Sequence, residues 1–194
     1  MKKIFTTACL LVIIDQVLKI WIKTNFYLGE EIKVFEWFII HFTENNGMAF
    51  GFEFGGFHGK TILTISRIII IFIAVKYLNG LITKTSPSGL LICLGLILGG
   101  AIGNVIDSTF YGLIFEESYN NISSIFVDGG GYAPLLHGKV VDMFYFPIIN
   151  CHLPLWLPFW GGEHFIFFRP VFNVADAGIS IGVIAILLFY RRFF

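Results

Sequence analysis

VFNVADAGISIGVIAILLFY, residues 171–190, is an almost unbroken apolar run that carries a carboxyl group at Asp176 and an amide at Asn173. A run of this length crosses the roughly 30 Å hydrocarbon core of a bilayer as one helix, so it reads as a membrane span. An acidic residue at the centre of such a helix costs about 2.5–3.5 kcal/mol, which makes Asp176 a paired or functional position. If Pro170 marks the outer end of the helix, Asp176 lies about 9 Å along the axis, inside the outer leaflet and within reach of water. Asn173, Asp176 and Ser180 then share a face at i, i+3 and i+7.

Three similar runs precede it, at about residues 4–22, 61–78 and 90–107. The whole chain of 194 residues is 56% hydrophobic, with mean hydropathy +0.81 and 13% charged residues. Soluble domains carry about 25% charged residues, so this composition belongs to a membrane protein. The length suits a single four-helix membrane domain. The net charge is zero, which gives no footing for nucleic acid. Lys2 and Lys3 followed by an apolar stretch resemble a secretory leader, but DQVLKIWIK follows where a cleavage site would stand, so residues 4–22 read as a retained span. Cys9, Cys93 and Cys151 are too scattered for a disulfide framework.

Lys2, Lys3, Lys76, Lys84, Arg191 and Arg192 fall in short segments on one side, which makes that side, with both termini, cytoplasmic. Two long loops, 23–60 and 108–170, face outward. VFEWFIIHFTE in the first is compatible with an interfacial segment or with a small sheet on the membrane surface. LPLWLPFWGG in the second is apolar but broken by proline, and fits the headgroup level rather than a span.

Polar residues recur inside the spans. Asp15 and Lys19 are an i, i+4 pair that can neutralise each other or reach other helices. Gly95, Gly99 and Gly103 form a small-residue stripe for close helix packing. Gly100, Asn104 and Asp107 form a polar stripe beside it, in which Asn104 could be packing glue and Asp107 a solvated helix cap. Arg67, deep in the second span, needs a partner or must snorkel to the surface, and the sequence does not decide between them. Asp142 in GKVVDMFYF sits between Val141 and Met143, in a setting unlike that of a solvated loop carboxylate. Two carboxyls partly out of water share one proton, one serving as base and the other as acid. With a water between them, such a pair can hydrolyse an amide. The residues alone leave an Asp142/Asp176 catalytic pair, a structural scaffold and a small proton-coupled transporter or channel subunit open. A zinc site from His137, Cys151, His152 and His164 lacks a usual ligand spacing.

Five blocks in order carry a resemblance: DQVLK (15–19), NNGMAFG (45–51), GGAIGNVID (99–107), VVDMF (140–144) and FNVADAG (172–178). Together they make the chain similar to the bacterial lipoprotein signal peptidases (signal peptidase II), a family of four-span intramembrane aspartyl peptidases. The resemblance implies a membrane all-α four-transmembrane-helix bundle with a small β-cradle and long outer, periplasmic loops, in the bacterial inner membrane. It implies Asp142 and Asp176 as the catalytic dyad, with Asn46, Gly100, Asn104, Asn173 and Ala175 around them and Asp15 in support. Lys19, Gly47 and Asp107 belong to the same blocks. Asn46 is preferred to Asn45 because it directly precedes the turn at Gly47. The implied partners are membrane lipids and lipid-modified prolipoprotein signal peptides, the latter cleaved before the diacylglyceryl-bearing Cys, and the implied enzyme is a monomer without metal or cofactor. Two features depart from the family pattern. Ser108 stands where the family usually has Arg, so that charge is either missing or supplied by Lys139 or Arg169, and the segments 108–141 and 143–171 are much longer than the family's usual connections.

Overall fold

The computed structural model describes residues 1–47, 56–83 and 85–193; residues 48–51 of the second block, Gly55 and Lys84 lie outside the described residues. Among the described residues four helices are long and apolar enough to cross a membrane. They are α1 (Lys2–Asn25), α2 (Gly56–Leu81), α3 (Ser88–Ile106) and α5 (Val174–Ala185). α3 runs on through a π-helical turn, Asp107–Tyr111, into the short α4 (Gly112–Ile114). α5 continues through Ile186–Tyr190 to Phe193.

α3 is the centre of the bundle, and its glycines explain why. A Cβ on Gly99 would stand 2.8 Å from the Ala8 carbonyl oxygen of α1, and one on Gly100 would stand 2.3 Å from the Ala175 carbonyl oxygen of α5. The two stripes therefore seat two different helices at backbone contact. Apolar side chains such as Ile13 and Val17 of α1, Ile70 and Phe72 of α2 and Leu188 of α5 point outward and are exposed. Asp15, Lys19 and Lys23, one helical turn apart on α1, point inward and are buried. This is the arrangement a bilayer demands, with lipid outside and ionisable groups paired within.

One end of the bundle holds both termini and an apolar cluster of Ile4, Leu78, Leu90, Leu94 and Leu98. The other carries the sheet. Strands β1 (Glu31–Phe35), β2 (Phe38–Asn45), β3 (Val140–Tyr145) and β6 (Val171–Phe172) form one antiparallel sheet in the order β1-β2-β3-β6. Phe42, Val141 and Met143 pack its inner face against Ile22, Tyr111 and Phe115. A separate hairpin, β4 (Ile149–His152) and β5 (His164–Phe167), is inserted between β3 and β6 and exposes Leu155, Trp156 and Phe159 at its tip. His152 and His164 face each other across that hairpin, while His137 stacks on Phe57.

Two expectations change. The fourth helix, expected over 171–190, begins at Val174, because Val171 and Phe172 pair with Tyr145 and Phe144 of β3. Asp176 thus stands in the first helical turn, not 9 Å along the helix. Asp107 is not a solvated cap, since it is fully buried and the helix continues beyond it to Ile114. The segment after α4 folds back onto this extension: Ala133 N–H donates to Gly112 O, Leu136 N–H to Thr109 O and Gly138 N–H to Ser108 O.

Candidate active site

Alternation along β3 sends Val141 and Met143 into the core and Asp142 to the opposite face. There both carboxyl oxygens of Asp142 accept amide hydrogens. Asn173 Nδ2 donates to Oδ1 at 2.7 Å, and Asn45 Nδ2 donates to Oδ2. Asn45 reaches it diagonally, because its own cross-strand partner is Val140, two residues away. The Asn45 amide is oriented from behind by the Gly47 N–H, which donates to its Oδ1 at 2.6 Å.

Asp176 is placed by helix-start chemistry. Asn173 caps α5, its Oδ1 accepting the Asp176 N–H at 2.9 Å, while the Asp176 carboxyl receives the Asn173 N–H at 3.5 Å. This reciprocal cap, with an acid in the first turn, suits the positive end of the helix dipole. Asn104 Nδ2 from α3 donates to Asp176 Oδ1 at 2.8 Å. Asn173 therefore touches both carboxyls, through its side chain to Asp142 and through its backbone to Asp176. Burial, and then the neighbouring charge of Asp176, push the Asp142 carboxyl up to about 7.

Behind this pair lies an ion cluster without solvent exposure. Lys19 Nζ meets Asp15 Oδ2 at 2.8 Å, Asp107 Oδ2 at 2.7 Å and Asn104 Oδ1 at 2.9 Å. Gln16 donates to Asp107 Oδ1 at 2.8 Å and accepts from the Tyr111 hydroxyl. Asp15 Oδ1 accepts the Ala175 N–H at 2.9 Å, so the cluster grips the first turn of α5 directly. Gly103 makes room for it, because a Cβ there would lie 2.7 Å from Asp15 Oδ2.

The residues singled out in the sequence thus converge, with one change of register. Asn45, rather than Asn46, reaches Asp142, and Asn46 Oδ1 accepts from Lys60. Gln16, Tyr111, Lys23 and Arg67 carry no role in the sequence reading. Lys23 extends the Asp15–Lys19 stripe by a further turn, and that spacing was the available signal. It is buried, paired with Glu44 and bonded to Ser118 Oγ at 2.6 Å. Lys139 is committed to Glu117 at 2.8 Å and lies 3.6 Å from Glu44, so its charge serves the loop. Ser108 is buried, its Oγ donates to Asn104 O, and its carbonyl holds Gly138, which leaves no space for an arginine.

The model of the Signal peptidase (SPase) II family matches residues 7–192. The lipoprotein signal peptidase of Porphyromonas gingivalis is 50% identical over 192 residues, covering 98% of this chain and 84% of that protein. That of Amoebophilus asiaticus is 41% identical over 96% of this chain and 76% of its own length. A solved bacterial membrane enzyme, determined by the in meso method at 2.3 Å resolution, superposes with TM-score 0.63 at 25% identity, covering 97% of this chain and 87% of that one. A second, at 1.9 Å resolution, gives 0.61 at 26% identity, covering 97% and 92%. The chain is a multi-pass membrane protein and an aspartic peptidase, and it belongs to the signal peptidase II family.

Proposed function

We propose that the chain is an intramembrane aspartyl endopeptidase that removes the signal peptide from diacylglyceryl-modified prolipoproteins, cutting just before the lipidated Cys, with Asp142 and Asp176 as its catalytic pair. The observation that carries this reading is the junction at Asn173, which holds one carboxyl from the sheet and one from the first turn of α5 in a single hydrogen-bonded unit. Asp142, with its carboxyl at about 7, holds the shared proton, and Asp176 takes a proton from a water lying between them. The water oxygen attacks the peptide carbonyl carbon as Asp142 protonates the carbonyl oxygen. Collapse of the tetrahedral intermediate breaks the C–N bond: the proton on Asp176 passes to the departing amine, and Asp142 takes back a proton from one of the two hydroxyls as the new carboxyl group forms. Asn45, Asn104 and Asn173 fix the two carboxyls during these transfers. Lys19 balances Asp15 and Asp107 so that neither repels the pair without compensation.

The basic residues Lys2, Lys3, Lys76, Arg191 and Arg192 favour both termini in the cytoplasm, which puts the sheet and the carboxyl pair at the periplasmic face of the inner membrane. A signal peptide would enter from the bilayer, with its lipidated Cys at headgroup depth. The test is incubation of purified protein with a prolipoprotein bearing diacylglyceryl on its lipobox Cys, beside the unlipidated form, in the presence of a chelator. The reading expects release of the leader peptide from the lipidated form, undiminished by the chelator. No release from the lipidated form, or release that the chelator abolishes, would overturn it.

A further inference from the structure

Arg67 occupies an uncomfortable position. It is the twelfth residue of α2, about 16 Å along the helix, among outward-facing Ile69, Ile70, Phe72 and Ile73. A guanidinium at that depth is retained only where it is engaged. Its Nη2 donates to the carbonyl oxygen of Gly47. Gly47 has φ +91°, and a Cβ there would lie 2.7 Å from Arg67 Nη1, so both the turn and the contact require glycine.

From the carbonyl held by Arg67, contacts run without interruption to the carboxyl pair. The Gly47 N–H donates to Asn45 Oδ1, and Asn45 Nδ2 donates to Asp142 Oδ2. With its oxygen occupied by the Gly47 N–H, the Asn45 amide can present only its NH2 to Asp142. We infer that Arg67 is a positioning residue for the peptidase reaction: by clamping the Gly47 turn it fixes the orientation of Asn45, and through Asn45 the placement of Asp142 opposite Asp176. The inference rests on the dyad reading above and adds a residue of α2 to a site otherwise assembled from α1, α3, α5 and the sheet.

The charged groups that face Asp142 are Asp176 from α5 and Lys19 from α1, with Asp107 of the π-helical turn after α3 nearby, accepting the Val141 N–H at 3.4 Å. Glu44 of β2 turns away to Lys23. A donor to a carboxylate favours its charged form, so release of Asn45 moves Asp142 higher.

The experiment compares wild type, Arg67→Met, Arg67→Lys, Asn45→Ala and the Arg67→Met/Asn45→Ala double variant on lipidated prolipoprotein, at pH values on both sides of 7. Two further readouts are thermal unfolding in detergent and the infrared carboxyl band that Asp142→Asn removes. Arg67→Met is expected to lower kcat by up to about 10²-fold with KM little changed. The alkaline limb of its rate profile and the infrared titration of Asp142 should both move upward. Asn45→Ala should produce the same shifts, and the double variant no more than either single one, because the residues act in series. Arg67→Lys, which can still donate to the Gly47 carbonyl, should recover part of the loss. Active wild type with an unchanged rate and titration in Arg67→Met, or losses that multiply in the double variant, would overturn the inference alone. An inactive wild type would overturn the peptidase reading and the inference together. If Arg67→Met does not fold, Arg67→Lys decides between them by the infrared titration, which should lie between wild type and Asn45→Ala; a wild-type titration there, with kcat lowered, would count against the inference.

Discussion

Replacing Gly100 by Ala tests the claim that helix packing sets the distance between the carboxyls. A methyl group at Gly100 lies 2.3 Å from the carbonyl oxygen of Ala175, 3.1 Å from its carbonyl carbon and 2.7 Å from Ile179 Cγ1. The obstructing group is backbone, so no side-chain rotation relieves it. Ordinary contact begins near 3.4 Å, and α5 must therefore retreat by about 1 Å at the residue before Asp176. Asp176 moves with α5, away from Asn104 on α3, whereas Asp142 stays with the sheet. Displacement of a reacting group by about 1 Å can cost roughly 10²-fold in rate, and overpacking of this kind destabilises by about 1–3 kcal/mol. The assay is kcat on lipidated prolipoprotein alongside thermal unfolding in detergent. Gly80→Ala is the control, because nothing lies within 4 Å of its added methyl, and that variant should keep full activity with stability equal or higher by up to about 1 kcal/mol. Wild-type kcat in Gly100→Ala would refute the argument that backbone contact between α3 and α5 sets the site.

Three further outcomes follow from the same geometry. Lys19→Met leaves Asp15 and Asp107 buried without their cation and should destabilise the protein by about 3–5 kcal/mol, seen as a lower unfolding temperature; an unchanged temperature would mean that the cluster is not ionised as drawn. Asp142→Asn should outlast wild type at alkaline pH: with the carboxyl raised from 3.8 to about 7 on folding, the native state binds the proton more tightly, so stability is fully present below 3.8 and falls as pH rises through 7. The amide removes that fall, worth at most about 4 kcal/mol, and unfolding followed against pH would show the two proteins converging in acid. Ser108→Arg should dislodge the 115–139 segment rather than restore a family feature, with new proteolytic cleavage in that segment as the readout, because the Ser108 carbonyl is bonded to Gly138 and its side chain is buried.

Much of this was legible in the sequence, for identifiable reasons. The spans announce themselves by length, and the glycine stripes of α3 foretell close packing because nothing but small residues permits it. Asp142 between Val141 and Met143 signals a carboxyl held against something, because a solvated loop carboxylate does not usually sit in so apolar a stretch. The start of α5 was harder, since Val171 and Phe172 suit a helix and a strand equally, and only pairing with β3 decides between them. Strand geometry also separates Asn45 from Asn46: β2 ends at Asn45, whose register against β3 across two distant segments sets it beside Asp142, and Asn46 lies beyond the strand. Asp107 looked like a cap because apolarity fades after it, whereas its burial comes from Lys19, Gln16 and the returning 115–139 segment. The partner of Arg67 could not be read, because it is a backbone carbonyl, and carbonyls carry no sequence signature.

The central claim is that two carboxyls, held together through Asn173, perform the hydrolysis. Its most direct test is single-turnover cleavage of lipidated prolipoprotein by Asp142→Asn and by Asp176→Asn, each first shown to insert and unfold cooperatively like wild type. Neither variant should release detectable leader peptide. Turnover near the wild-type rate in either one would contradict it.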